Sequence, residues 1–206
     1  MKYIYAFSIG DGCLVKKSKN AMFQATQLAK NSDYIYWRAN VLSELTTINH
    51  RSFIHTSGNE MLVTETKTHP KYTAAYNEMY YGGRKTLTPH ILSFLDWEML
   101  AIFFQDDGNG RYRPGINKTP EIRIASHNFN YAENWMLVKA CKEILDIQFN
   151  IQRQKYKDTM YYYISLRATS FQTFKENIEP YIKPSFAYKL CSQIQPHDTV
   201  MGENIV

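Results

Sequence analysis

The sequence predicts an α+β fold made of two pseudo-symmetric αββαββα repeats, each an antiparallel sheet with helices on one face. Two observations predict it. A nine-residue pattern, apolar until it stops at an acid and a glycine, occurs once near the start of each half: Ile4-Tyr5-Ala6-Phe7-Ser8-Ile9-Gly10-Asp11-Gly12 and Leu100-Ala101-Ile102-Phe103-Phe104-Gln105-Asp106-Asp107-Gly108. After each copy, strand, helix and hairpin signals follow in the same order. The chain has 206 residues, 44% of them hydrophobic, enough for a substantial core.

The elements can be justified in turn. Gly12 to Lys19 and Asn109 to Lys118 are polar, basic segments suited to a first strand and turn. Ala21 to Thr26 and Glu121 to Ser126 read as second strands, the latter alternating cleanly. Ser32 or Asp33 can cap a helix with Tyr34, Trp37, Val41 and Leu45 on one face. Asn128 or Asn130 can cap its counterpart, with Trp135, Val138 and Leu145 inward. Both tryptophans are expected in the core. Arg51–Thr56 and Met61–Thr66 flank a turn at Gly58, and Ile147–Lys155 and Met160–Leu166 flank Lys157-Asp158. A closing helix follows each hairpin, over Lys71–Tyr80 and Ser170–Tyr181. These boundaries divide the chain into a first repeat at 1–88, a second at 89–194 and a tail at 195–206 expected to be mobile. Each sheet keeps one face free of helices, and a free face calls for a partner.

Composition narrows the function classes. The net charge of +5 suits a polyanionic partner. Three widely spaced cysteines, Cys13, Cys141 and Cys191, fit neither a disulfide framework nor a zinc knuckle, which points to a reducing intracellular setting. No apolar run reaches the ~20 residues of a membrane span. Met1-Lys2 leads straight into the first motif, so no signal or transit peptide is expected. There is no Walker A loop, and none of the six histidines has HNH or zinc spacing. Sixteen tyrosines invite a base-stacking role, but the alternation of Tyr161-Tyr162-Tyr163 along a strand assigns them to packing and a sheet edge.

The repeated motif carries the chemistry. A short apolar helix ending in Asp-Gly puts one carboxylate at its C-terminus, and two such helices packed side by side bring two carboxylates to one point. Clustered acids repel unless a cation sits between them, so the pair reads as a divalent-metal site, with a phosphodiester as the expected substrate. Ala6 and Gly10, four residues apart, share a face that permits close helix approach. Asp106 has no counterpart in the first copy, where Gly10 stands. Its side chain is expected to be solvated or to lie behind the metal ligands.

The segments IYAFSIGDG and LAIFFQDDG resemble the signature of the LAGLIDADG homing endonucleases, and two copies in one chain resemble the monomeric branch of that family. The bulky Phe103 and Phe104 depart from its small-residue pattern. The resemblance implies that Asp11 and Asp107 are catalytic metal ligands, with the backbone carbonyls of Gly10 and Asp106 completing the coordination. Mg2+ is the expected ion because the donors are hard oxygens, and Mn2+ can substitute. Lys85 and Lys189 resemble the lysines that sit beside the metals, one per strand, stabilising phosphorane charge or orienting water. The sheets would form a saddle over double-stranded DNA, and the enzyme would cut both strands of a long asymmetric site to leave short 3′ overhangs, without an obligate protein partner. Residues expected at the DNA are Lys16, Lys17, Lys19, Gln24, Thr26, Arg111, Arg113, Lys118, Arg123, Gln152, Arg153, Gln154 and Lys155. Of these, Arg123 faces away from the core and corresponds to Gln24 and Thr26. The expected role is mobility of an intron or of a free-standing gene, in a phage, a bacterial cytoplasm or an organellar matrix. The rival is a non-cleaving nucleic-acid binder, such as an intron maturase or a repurposed regulator.

Overall fold

The structure is a computed structural model and describes residues 1–112 and 119–191. Arg113, Lys118 and the tail at 195–206 lie outside the described residues. The first half runs α1 (Lys2–Ile9), β1 (Cys13–Lys17), β2 (Asn20–Leu28), α2 (Ser32–Ser43), β3 (Ile48–Ile54), β4 (Glu60–Thr66) and α3 (Pro70–Met79). A two-residue-per-strand hairpin, β5 (Tyr80–Tyr81) and β6 (Arg84–Lys85), turns at Gly82-Gly83, both with positive φ, as a tight primed turn requires. A short α4 (Pro89–Leu92) then leads into α5 (Trp97–Asp107), β7 (Gly108–Arg111), β8 (Glu121–Ala125), α6 (Tyr131–Leu145), β9 (Phe149–Tyr156), β10 (Thr159–Leu166) and α7 (Phe171–Ile178). A 3-10 segment, Pro184–Leu190, follows.

Each half contains a four-stranded antiparallel sheet, ordered β1-β2-β4-β3 in one and β7-β8-β10-β9 in the other. The ladders match position for position: Cys13 pairs with Gln24 as Asn109 pairs with Arg123. This is the two-domain pseudo-symmetry that the repeated motif predicts.

The motif helices form the centre. Ile4 to Ile9 in α1 and Met99 to Gln105 in α5 are buried on every side, which is why both segments read as apolar all round. Their N-terminal ends are tied by the Lys2 ammonium, 2.8 Å from Asp96 and 2.6 Å from Glu98. At their other ends Gly10 meets Asp106: a Cβ added at Gly10 would fall 2.5 Å from the Asp106 Cβ. The helices therefore lie side by side in the same sense, with the acids at one end.

Three expectations change. Trp135 is 51% exposed rather than in the core, because the inward stripe of α6 is Leu137, Cys141 and Leu145. Trp135 precedes Leu137 by two residues, about 200° round the helix. Val138 is half-buried at the edge of that stripe. Trp37 packs edge-on against Phe7 at 5.4 Å but is only half-buried, and Tyr34, Ile35, Arg38, Ala39 and Leu42 form the buried face of α2. Neither Ser32 nor Asp33 caps α2. A 3-10 turn over Ala29–Asn31 starts it, and the Asp33 carboxylate instead accepts from the Ser185 N–H at 3.0 Å. On the other side, Asn130 makes a complete capping box with Glu133.

Candidate active site and nucleic-acid interface

The site is built where α1 and α5 end. Asp11 follows the last turn of α1 and is exposed. The Asp106 side chain, expected to be solvated or to lie behind the metal ligands, crosses the junction to the end of α1. Its Oδ2 accepts from the backbone N–H of Asp11 at 3.2 Å, and its Oδ1 accepts from the Gln27 amide at 3.1 Å. The same amide nitrogen of Gln27 donates to Asp11 at 3.2 Å, so one buried glutamine holds carboxylates from both motifs. The reason Asp106 can cross is Gly10: any side chain there would occupy its place.

Crowding of the acids shows in their titration. Burial, followed by the Asp11 charge, pushes Asp106 up to about 7, and the Arg38 charge partly opposes the rise. Burial, then the charges of Asp11 and Asp106, pushes Asp107 up to about 7, with Lys85 and Lys189 opposing. Arg38, in α2, is fully buried over the rings of Phe23 and Tyr34 at 5.7 and 5.3 Å. Its guanidinium nitrogens have no hydrogen-bond partner among the described residues.

The two lysines take matching positions. Lys85 Nζ, reaching from β6, donates to the carbonyls of Gly10 at 2.6 Å and Gly12 at 2.8 Å. Lys189 Nζ, from the Pro184–Leu190 segment, donates to Gln105 O at 2.6 Å and Asp106 O at 3.3 Å. Each ammonium thus caps the C-terminal end of one motif helix, where the carbonyls lack helical partners. Burial lowers the pKa of both lysines, while Asp11, Asp106 and Asp107 hold it up. The carbonyls of Gly10 and Asp106, expected to face a metal, carry these ammoniums in the structure.

The donor set fits a hard divalent cation. Its side chains are carboxylates without histidine or cysteine ligands, and Asp106 and Asp107 are raised first by burial and then by acid–acid repulsion, which a cation would relieve. Among the described residues no group of three or more His, Cys, Asp or Glu forms a ready-made cage. A metal here would take water or substrate oxygen for its remaining ligands, as Mg2+ commonly does.

The sheets determine which expected DNA-facing residues share a face, since paired residues point to the same side. Gln24, Thr26 and Lys17 lie on the helix-free face of the first sheet. Lys16 is paired with buried Ala21 and turns to the helix side, its ammonium 5.6 Å from the Tyr76 ring. Lys19 is exposed in the β1–β2 turn, and Arg111 is exposed at the end of β7. In the second sheet Arg123, Gln152 and Gln154 share the free face with Tyr163 and Tyr161, whereas Arg153 and Lys155 point to the opposite side. Gln27 and Arg38 join the site without having been among the expected residues, and His127, which reads in the sequence with Asn128 as a turn before a helix, does form that turn. His127 lines a cleft of 170 Å³ with Asp107, Arg123 and Gln154. Gln27 carried a signal, a polar residue in phase with buried Phe23 and Ala25 on β2. Arg38 stands four residues from both Tyr34 and Leu42, so the period of α2 puts it on the buried face, and only its charge argued against burial.

Comparison with known proteins agrees with this architecture. A cytochrome b mRNA maturase, bI2, of Debaryomyces hansenii is 25% identical over 201 residues, spanning 92% of this chain and 72% of the maturase. The homing endonuclease I-WcaI, solved bound to its DNA recognition sequence, superposes with a TM-score of 0.75 at 19% identity, over 92% of this chain and 84% of its own. I-DmoI, solved in complex with DNA and Mn, gives 0.51 at 14% identity, over 86% and 94%. These two likenesses concern the fold. Among the described residues no helix is long and apolar enough to cross a membrane. The model of the LAGLIDADG DNA endonuclease family matches residues 7–174, and the chain belongs to that family.

Proposed function

We propose that the protein is a site-specific double-strand DNA endonuclease, hydrolysing phosphodiesters at the junction of its two motif helices with Mg2+, for which Mn2+ can substitute. The observation that carries this reading is the convergence of Asp11, Asp106 and Asp107 with Lys85 and Lys189 at one point. Asp11 and Asp107 would hold the divalent ions. The bound ions would polarise a phosphoryl oxygen, lower the pKa of water and relieve charge on the leaving group.

The chain's own residues then have distinct tasks. Gln27 keeps Asp11 and Asp106 in register across the junction. Lys85 and Lys189, desolvated and held at the helix ends, supply positive charge as the phosphorane forms, one for each strand. The free faces carrying Gln24, Thr26, Arg123, Gln152 and Gln154 offer donors and acceptors to base edges in the major groove. Lys17, Lys19 and Arg111 would serve phosphates, which fix position without reading sequence.

A second reading is favoured by the Debaryomyces hansenii relative, which is named as an mRNA maturase. A maturase could keep both acids and this fold while using the chain to bind intron RNA rather than to cut DNA.

The test is cleavage of a randomised duplex library, together with the DNA flanking the protein's own gene, in Mg2+. Wild type is compared with Asp11→Asn and Asp107→Asn. Metal-dependent cutting at one long site, lost in both variants while binding persists, supports the nuclease. Binding of a discrete sequence with no cutting by wild type rejects it in favour of a binder.

A further inference from the structure

Arg123 is held in place before any nucleic acid arrives. Glu121 Oε1 accepts from its Nε at 2.9 Å and also from Nη2, and the Tyr163 ring lies 5.3 Å from the guanidinium carbon. These two supports fix both the plane and the direction of the fork. They use its Nε side, and the opposite edge, Nη1 with the second Nη2 hydrogen, has no partner among the described residues.

Arg123 stands at a particular place. Arg123 pairs with Asn109 on β7, the strand that starts at Gly108, directly after Asp107. Asp107 and Arg123 line one cleft of 170 Å³, on the helix-free face. Whatever Arg123 contacts therefore lies next to the carboxylate of the second motif.

We infer that Arg123 reads a guanine in the second half-site, close to the position cut there; this rests on the DNA reading above. Two parallel donors match the O6 and N7 acceptors of guanine in the major groove. Adenine would set its N6 donor against one of them. The Glu121 carboxylate weighs against a phosphate, because a guanidinium already paired with an anion has little net charge left to attract another. The free hydrogens suit a neutral base edge with fixed acceptors. Pre-organisation also limits the entropy lost on binding.

The experiment selects bound duplexes from a randomised library in Ca2+, so that cleavage is not required, and compares wild type with Arg123→Gln and Glu121→Gln. In the wild-type site one position is expected to be almost invariant guanine, and 7-deazaguanine there should weaken binding about 10-fold. Arg123→Gln should flatten that position or turn it to adenine and leave the others unchanged. Glu121→Gln should loosen it, with a steeper dependence of binding on salt. Arg123 is exposed, so its variant is expected to fold, and a thermal melt checks this. If Arg123→Gln leaves every position intact, or weakens all sequences equally, the guanine assignment falls and the DNA reading stands. If wild type enriches no sequence, the DNA reading falls and takes the assignment with it.

Discussion

The Asp106 carboxylate accepts a hydrogen bond from the backbone N–H of Asp11 across the junction of the two motif helices. The contact is one-sided, since Gly10 stands where Asp106 would have its counterpart. A second-half carboxylate therefore meets the end of α1, whereas among the described residues no first-half carboxylate hydrogen-bonds the end of α5. This asymmetry underlies several expected outcomes.

Gly10→Ala should separate the helices. The added Cβ would collide with the Asp106 side chain, which is itself tied to Gln27 and Asp11. Overpacking of this kind costs about 1–3 kcal/mol, and Tm should drop by about 2–4 °C for each kcal/mol. Cleavage should fall by more than the melt accounts for, because the acids move apart. A variant that melts and cuts like wild type would refute the close approach.

Lys85→Met and Lys189→Met should each slow one strand. Each ammonium caps a different motif helix, so each variant should accumulate nicked plasmid, with about 10²-fold slower closure of the second cut. Mapping the nick by strand reads the assignment. Equal slowing of both strands in either variant would contradict it.

Proton and metal should compete. Asp106 and Asp107 are pushed up to about 7, against about 4 for an unfolded aspartate. The folded protein therefore binds protons more tightly than the unfolded chain, and metal-free stability should fall as pH rises from about 4 through about 7. Above that range both acids are ionised and repel. Added Mg2+ should restore Tm there and have little effect below pH 6. Asp107→Asn should flatten the pH profile, and calorimetric melts with and without chelator measure all of this.

Arg84→Leu should act through its neighbour. The Arg84 fork holds Glu133 in the second half at 2.7 and 3.2 Å, while Lys85 beside it reaches the first site. Loss of this exposed arm should cost about 1 kcal/mol of stability and slow the Lys85-dependent strand alone. An unchanged strand ratio would mean that Arg84 is only a surface contact.

Much of this was legible in the sequence where a residue's role follows from local pattern. The doubled motif, the strand parity of Ile122, Arg123 and Ile124, and the Asn130 cap all depend on neighbours a few positions away. What could not be read depends on distant chain. Asp106 is held by a strand and a helix end from the other half. Asp33 leaves its helix to bind Ser185. Arg38 is in phase with buried Tyr34 and Leu42, but that a charged group stays there depends on the rings of Phe23 and Tyr34 that flank it. Trp135 is the kind of residue expected in a core, but its angle round α6 puts it outside the buried stripe. Its ring instead lies beneath the Lys139 ammonium at 5.4 Å.

The β5–β6 hairpin joins the halves and also delivers Lys85 to the carbonyls of α1. Under the proposed function, the tether would then be a working part of one reaction centre. A chimera that exchanges halves between relatives has to carry Tyr80 to Lys85 with the first half, or it separates an acid from its lysine. Cutting the backbone at Gly82-Gly83 and supplying the halves as separate chains would disable one strand's chemistry even if the pieces reassembled. On the nuclease reading, the choice of crossover point would decide whether a hybrid cuts both strands or only nicks.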